Sequence, residues 1–271
     1  MISLLYHTFI KALDYKIRKL LNGELFSKYM SIKSEARYFY SNGYYYIKEG
    51  KKNFYFIQSR ATRYALGLNN LANKLAVDYG IRDLKFTRGH LVVDVGANVG
   101  EFALYIQKFP GVKYVGIEPS PLEFKLLVKN LPTNYKAKNM ALSDSNGISQ
   151  FYLSSNSADS SLFLPDVVEG KIFVHTVRLD KLFSEIYLLK IDAEGAEYEV
   201  IKGAEKILKK ISHIAVDLGF EKGPRHESSC PEVVNLLLSK GFKMTKFTPR
   251  NCFVFSNSRI KNSNFKYVDY T

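Results

Sequence analysis

The segment "HLVVDVGANVGEF", His90–Phe102, constrains this chain more than any other. An apolar run of strand length enters a turn punctuated by Gly96 and Gly100, and helical spacing resumes beyond it. From there to the C-terminus the pattern alternates. Strands are predicted at 91–95, 113–117, 136–142, 186–191 and 212–217, and helices at 99–108, 121–130, 196–210 and 231–240. "FKMTKF" and "CFVFSN" close the chain as two further strands. Alternation of this kind specifies an α/β fold, a parallel sheet covered on both faces, with ligands gathering at the carboxyl ends of the strands. "NGISQFYLS" interrupts it after the third strand and reads as an inserted hairpin turning on Asn146-Gly147.

The glycine turn narrows the ligand. A dinucleotide fold needs G-x-G-x-x-G so that backbone amides can approach a pyrophosphate. Here the corresponding positions are Gly96, Asn98 and Glu101. Asp94 and Glu101 add negative charge where an anion would rest, and no Gly-Lys-Ser/Thr follows to make a phosphate loop. S-adenosylmethionine carries an ammonium and a sulfonium and no phosphate, so an acid before the turn becomes favourable. Gly96 and Gly100 then let the turn pass close to its methionine and ribose portions. "YVGIEPSP" ends the second strand in Glu118, placed to accept both ribose hydroxyls, and Ser120-Pro121 makes a sound helix start. In "ALSDSNG", Asp144 is a candidate for the adenine amino group, with Ser143 beside it; a simple turn-forming role for Asp144 stands as the alternative.

The fourth strand carries "LLKIDAEGAEYEVIKGAEKIL". Together with "VVDVGANVGEF", "GIEPSP", "ALSDSNG" and "VRLDKL", it resembles the FkbM family of class I methyltransferases, over roughly residues 88–256. The resemblance implies a Rossmann-like, seven-stranded, mostly parallel sheet with its last strand antiparallel. It implies S-adenosylmethionine contacts along Asp94, Gly96, Ala97, Asn98, Gly100, Glu118, Pro119, Ser143, Asp144 and Asp192. It also implies methylation of hydroxyl oxygens, on sugars of surface polysaccharides or on macrolides. Three domain segments follow: 1–85 as an N-terminal α/β appendage, 86–258 as the methyltransferase domain, and 259–271 as a tail.

A sugar hydroxyl is a poor nucleophile while protonated, so a base beside the donor is expected. Asp192, at the end of the fourth strand, is the first candidate, Asp217 at the end of the fifth the second, and Glu194 the third. A divalent cation between Asp192 and Asp217 is the minority reading, because Leu218 stands where catechol-type enzymes place the amide of an acid–amide pair. No metal is therefore assigned. Five histidines at 7, 90, 175, 213 and 226 show no ligand spacing either.

Composition bounds the rest. The net charge of +13 is concentrated early: residues 1–90 hold sixteen Lys/Arg against six Asp/Glu. A basic region steers anionic glycan, phosphate or an acidic lipid surface, or is an ordinary solvated face. Residues 1–22 place Ile2, Leu5, Phe9, Leu13, Ile17, Leu20 and Leu21 near one helical stripe, which suits a membrane surface or packing on the protein itself. Tyrosine-rich strands turning at Asn42-Gly43 and Glu49-Gly50 come next, then a helix over 60–81. Two cysteines and the absence of a signal-peptide layout in "MISLLYHTFI" lead to a cytoplasmic expectation, with peripheral contact at the inner membrane face as a variant.

The sequence-level expectation is an S-adenosylmethionine-dependent O-methyltransferase acting on a sugar hydroxyl. Arg60, Arg63, Arg225 and His226 are candidate acceptor contacts. A macrolide-type small molecule is the alternative acceptor, and a nicotinamide oxidoreductase or a non-catalytic glycan- or lipid-binding module on the same fold are rivals of other classes. A nucleic-acid acceptor is disfavoured, since "DAEGAE" replaces the Asn/Asp-Pro-Pro-aromatic loop of amino-directed enzymes and an acidic rim opposes a polyphosphate.

Overall fold

The computed structural model describes residues 2–50, 52–154, 160–165 and 168–260, so most of the expected 259–271 tail lies outside the described residues. The chain divides into two compact units, residues 1–68 and 69–271.

In the first unit α1 (Ile2–Leu20) and α2 (Gly23–Lys33) precede a meander of β1 (Tyr38–Ser41), β2 (Tyr44–Glu49) and β3 (Lys52–Phe56). Asn42 and Gly43 both take left-handed backbone, at φ 51° and 80°, the geometry that suits a two-residue hairpin. Alternation then sends Tyr38, Ile47, Phe54 and Phe56 inward with Phe26 and Met30 of α2. It leaves Phe39, Tyr46 and Tyr55 in ring contact with one another, at 5.3 and 5.5 Å, on the other face. In the described part of the apolar stripe of α1, Leu13 and Leu20 are exposed. No described helix is long and apolar enough to cross a membrane. The helix expected over 60–81 divides into a 3-10 segment, Gln58–Tyr64, and α3 (Leu68–Asp78), because Gly67 at φ 84° cannot continue a helix.

The second unit contains β4 (Leu91–Val95), α4 (Ala103–Ile106), β5 (Lys113–Ile117), α5 (Pro121–Asn130), β6 (Lys136–Lys138), β7 (Ala141–Leu142), β8 (Gly147–Leu153) and β9 (Gly170–Val177). They are followed by β10 (Ile186–Ile191), α6 (Glu197–Gly203), β11 (Ile211–Asp217), α7 (Cys230–Ser239), β12 (Phe242–Phe247) and β13 (Cys252–Asn257). Seven strands form one sheet in the order β12-β13-β11-β10-β4-β5-β6. β10 pairs in parallel with β4 and β11, and β13 runs antiparallel between β11 and β12. This is the Rossmann-like sheet expected, with its last strand reversed. The order turns back between β4 and β10, and that switch point opens a crevice at the strand ends.

Four local expectations are corrected. The helix expected at 196–210 stops at Gly203, and a separate 3-10 turn follows at Leu208–Lys210. The strand expected at 136–142 splits into β6 and β7, since the Asn139 side-chain amide donates to the Glu118 and Pro119 carbonyls at 2.9 and 3.0 Å. The helix expected at 99–108 shrinks to α4, because Gly100 at φ 91° cannot enter a helix and turns follow it. The inserted hairpin does not turn on Asn146-Gly147: β8 pairs instead with β9, a strand the sequence reading missed, whose far side pairs in parallel with β7.

Candidate active site

The sheet register builds the site. Lys190 is the Cα partner of Asp94 on one side and of Ala215 on the other, and Asp94 is the partner of Gly116. In-register residues of parallel strands share a face, and side chains two positions further on share it too. Asp192 and Asp217 therefore project from the same face as Lys190, one step nearer the strand ends. Small residues at Ala215 and Gly116 flank the central pair of charges and leave them room.

That pair is sealed. The Lys190 ammonium lies 2.9 Å from Asp94 Oδ1, and the Tyr114 hydroxyl donates to Asp94 Oδ2 at 2.5 Å. Asp94 has no exposed surface, and burial pushes its carboxyl upward against the pull of Lys190 and Tyr114. Burial alone would make Lys190 give up its proton, but the carboxylates of Asp94 and Asp192 outweigh that and hold it charged. Lys190 also donates to the carbonyls of Gly96 at 3.1 Å and Val95 at 3.3 Å. The acid singled out in the sequence thus sits beneath the turn with a cation of its own.

The turn itself is tightly determined. The amides of Gly96 and Ala97 both donate to the Ile117 carbonyl, at 3.0 and 3.1 Å. A Cβ built on Gly96 would stand 1.8 Å from the Asp192 carbonyl oxygen, so only glycine lets β4 and β10 end this close together. Asn98, at φ 48°, presents its amide to Glu118 Oε2 at 2.8 Å, and the Ser120 amide donates to Glu118 Oε1 at 2.9 Å. Burial raises the Glu118 carboxyl to about 7 despite these amides. Gly100 packs against α5, where a Cβ would meet Leu127 at 2.9 Å. Pro119 leads into α5, which starts at Pro121. The Ser120 hydroxyl turns to the Glu123 carboxylate instead of capping the helix. Further along, Ser143 donates to Asp144 at 3.3 Å, Asp144 is exposed, and Arg178 holds the Asp144 backbone carbonyl at 2.7 Å.

Asp192 and Asp217 meet through Arg250. Its Nε lies 2.8 Å from Asp217 Oδ2 and its Nη2 3.3 Å from Asp192 Oδ2. The Tyr79 hydroxyl also donates to Asp192, and the Tyr79 ring lies under both Lys190 and Arg250, at 5.0 and 5.2 Å. Burial and neighbouring Asp192 push Asp217 upward; Arg250 opposes them. Glu194, at φ 50°, joins Asp192 and Glu221 in a trio of carboxylates whose oxygens lie within 4.8 Å of one another. Burial and then Asp192 and Asp217 drive Glu221 up to about 8. The trio offers the oxygen donors a hard cation takes, and equally the crowding that makes carboxyls share protons; its geometry alone assigns no metal.

Sequence reasoning missed Lys190, Tyr79, Arg250 and Glu221. Lys190 had a signal, a charge inside the apolar strand "YLLKI"; the other three come from turns with no pattern of their own. Glu197, in the first turn of α6, does local work. Buried, it accepts the Ala193 and Gly195 amides at 3.0 Å each and the Ser229 hydroxyl at 3.1 Å, and so fixes the loop that follows Asp192. Of the suggested acceptor contacts, Arg225 is open to solvent near Glu227, and His226 lies in the same surface loop at φ 51°. Arg60 and Arg63 belong to the first unit, in the 3-10 segment.

Known proteins resemble this chain. A family model described as the methyltransferase FkbM domain matches residues 94–244. The 2-O-methyltransferase NoeI of Sinorhizobium fredii is 27% identical over 76% of this chain and 93% of its own length. The methyltransferase sdnD of Sordaria araneosa is 29% identical, over 57% of this chain and 74% of its own. The 31-O-demethyl-FK506 methyltransferase FkbM of Streptomyces tacrolimicus is 28% identical, over 57% and 73%. These matches leave the nicotinamide and non-catalytic readings without support. The residues at the switch point are compatible with S-adenosylmethionine as donor: a tight glycine turn without a phosphate-loop lysine, and the buried Glu118 carboxylate beside it. The chain belongs to the FkbM methyltransferase family and is an S-adenosylmethionine-dependent methyltransferase.

Proposed function

We propose that this enzyme transfers the methyl group to a sugar hydroxyl, within a surface glycan or its lipid-linked precursor. The placement of Asp192 carries the reading. Its carbonyl packs on the Gly96 turn, and its carboxylate stands at the strand ends beside Asp217 and Arg250. NoeI is named as a 2-O-methyltransferase, and a Haloferax volcanii relative, 28% identical over 58% of this chain and 65% of its own, as a hexuronic acid methyltransferase. The first name supports an oxygen as the acceptor atom, and the second a sugar acid as the acceptor class. The FkbM name supports the second reading, a hydroxyl of a macrolide-type molecule.

In this reading Gly96, Ala97, Asn98 and Gly100 cradle the donor's methionine and ribose, with Asp94 beneath them. Glu118 and Pro119 border the ribose, and Ser143 and Asp144 the adenine. Bound S-adenosylmethionine supplies an activated methyl group on a sulfonium. Asp192 then orients the acceptor hydroxyl and takes its proton, with Asp217 and Glu194 as the supporting acids. Arg250 and Tyr79 hold the Asp192 carboxylate in one position, which contributes alignment. Arg225 and His226, in the second unit, are proposed acceptor contacts. The basic first ninety residues favour an anionic glycan or membrane-associated precursor.

The test is to incubate the enzyme with isotope-labelled donor and, separately, neutral glycans, uronic-acid glycans, lipid-linked oligosaccharides and a macrolide. Product carrying a methyl ether on a sugar ring supports the proposal. Label on a macrolide alone selects the second reading, and label on an amine alone defeats both. Asp192→Ala should lower turnover by about a hundredfold or more while donor affinity changes little; equal turnover removes Asp192 from the mechanism.

Glu118 makes donor binding pH-dependent. Only its ionised form accepts both ribose hydroxyls, and burial in the free protein pushes its carboxyl up to about 7. Affinity for S-adenosylhomocysteine should therefore rise as pH increases towards 7, by up to about tenfold per unit, and level off above it. Calorimetry between pH 5.5 and 8 in buffers of different ionisation heat reads the accompanying proton release. Flat affinity across that range would remove Glu118 from the ribose site.

A further inference from the structure

We propose that Lys190 is the positioning residue of the donor site, joining the Gly96 turn to Asp192 through one buried ammonium. The reason begins with cost. A buried ion pair is seldom worth more to stability than apolar side chains of the same volume. Lys190 and Asp94 nonetheless face each other one residue before the carboxyl ends of an otherwise apolar pair of strands, with Lys190 3% and Asp94 0% exposed. Stability alone does not account for a charge there.

Its contacts do. The ammonium donates to the Val95 and Gly96 carbonyls, at the point where β4 stops pairing and the turn begins. The Gly96 and Ala97 amides are held from the other side by the Ile117 carbonyl. The peptide planes of the turn are thus fixed from both sides, and the next residue, Asn98, meets Glu118 with its amide as a consequence. The same ammonium stands 3.9 Å from Asp192 Oδ2 and 5.0 Å from the centre of the Tyr79 ring, so it also draws the strand-end carboxylate towards the turn. Losing it would free the Gly96 carbonyl to rotate, and with it the amides and the Asn98–Glu118 contact that shape the donor's seat. Asp94, sealed beneath, then acts through Lys190 as the counter-charge that keeps the ammonium in place.

The inference rests on the reading of the Gly96–Asn98 turn and Glu118 as the donor's contacts, and the experiment separates the two. S-adenosylhomocysteine affinity is measured by calorimetry for the full-length wild type, Lys190→Met and Glu118→Gln. Methionine preserves the length of the side chain and removes charge and donors. The expected result is a loss of about ten- to hundredfold for Lys190→Met, in keeping with charged hydrogen bonds to the turn. The amide resonances of Ala97 and Asn98 should also shift in the ligand-free variant, a signature that mere packing would not produce. If Glu118→Gln weakens binding and folded Lys190→Met stays within threefold of wild type, the role of Lys190 is overturned and the donor site survives. If Glu118→Gln leaves affinity unchanged, both fall. Should Lys190→Met fail to fold because Asp94 is left as an unpaired buried charge, Asp94→Asn/Lys190→Met is compared with Asp94→Asn. A further tenfold loss upholds the role, and equal affinities overturn it.

Discussion

Gly96→Ala should abolish donor binding and destabilise the second unit, because no rearrangement of a flexible side chain can relieve the clash. The added Cβ would lie 1.8 Å from the Asp192 carbonyl oxygen and 2.9 Å from its carbon, both backbone atoms. Gly96 also sits at φ 70°, where an alanine costs about 1–2 kcal/mol before any contact is counted. The ends of β4 and β10 would have to separate, breaking the Asp192 amide's bond to the Val95 carbonyl at 3.1 Å. A total of about 3 kcal/mol or more is expected, which for a unit of this size lowers the melting temperature by roughly 10 °C. Affinity for S-adenosylhomocysteine should fall by more than about a hundredfold, since the turn that offers the Asn98 amide to Glu118 moves with the strand. Gly43→Ala is the control. It shares the backbone region, at φ 80°, but its added Cβ meets nothing within 4 Å, so a few degrees of melting temperature and no donor affinity should be lost. A Gly96→Ala protein that binds within threefold of wild type would show that the turn is not under this constraint.

Arg250→Met is the second large effect, and it arises from charge. Arg250 is the counterion shared by Asp217 and Asp192, whose side chains are 3% and 12% exposed. Removing it leaves two carboxylates facing each other in poor contact with water. Breaking a fully buried pair costs about 3–5 kcal/mol, and because the Arg250 side chain is 34% exposed, solvent screening lowers the expectation to about 2 kcal/mol. Denaturant midpoints measure this directly, and the slope of the transition should not change. The deficit should depend on pH in a definite direction. Asp217 already has its carboxyl raised by burial and Asp192, and loss of Arg250 raises it further. An acid whose folded-state value exceeds its unfolded value favours the fold more as it protonates. The deficit therefore shrinks as pH falls through that raised value and is largest above it. Asp217→Asn/Arg250→Met should recover most of the stability without recovering turnover. Arg250→Lys should recover neither fully, since a single ammonium cannot span two carboxylates as the guanidinium does. Unchanged stability at pH 8 in Arg250→Met would show that the cluster is solvated.

The family relatives bear on how far these effects travel. The matched domain, 94–244, contains the turn, Glu118, Lys190, Asp192 and Asp217. Tyr79 and Arg250 lie outside it, yet both reach Asp192. The core of the proposed donor site thus lies within the shared domain, while two of the groups that hold the strand-end carboxylate come from the flanking chain.

Much of this was legible from local pattern. A strand's period, a glycine turn and an acid at a strand end are written within ten residues of one another, so β4, β5, β10 and β11 and the residues Gly96, Glu118, Asp192 and Asp217 could be placed without coordinates. The α/β class and the reversed last strand followed from the order of the elements and the resemblance. What the sequence could not set was which charges meet. Lys190 and Asp94 are 96 positions apart and face each other only because β10 pairs with β4 in one particular register; a slip of one residue would turn Lys190 to the opposite face. Tyr79 follows a helix and Arg250 sits in a two-strand turn, and neither carries a spacing that points at Asp192. The polarity of the site was therefore only half visible: its acids announce themselves at strand ends, whereas its cations arrive through tertiary packing. Burial then makes the pairing matter, because an unpaired charge away from water is far costlier than one at the surface.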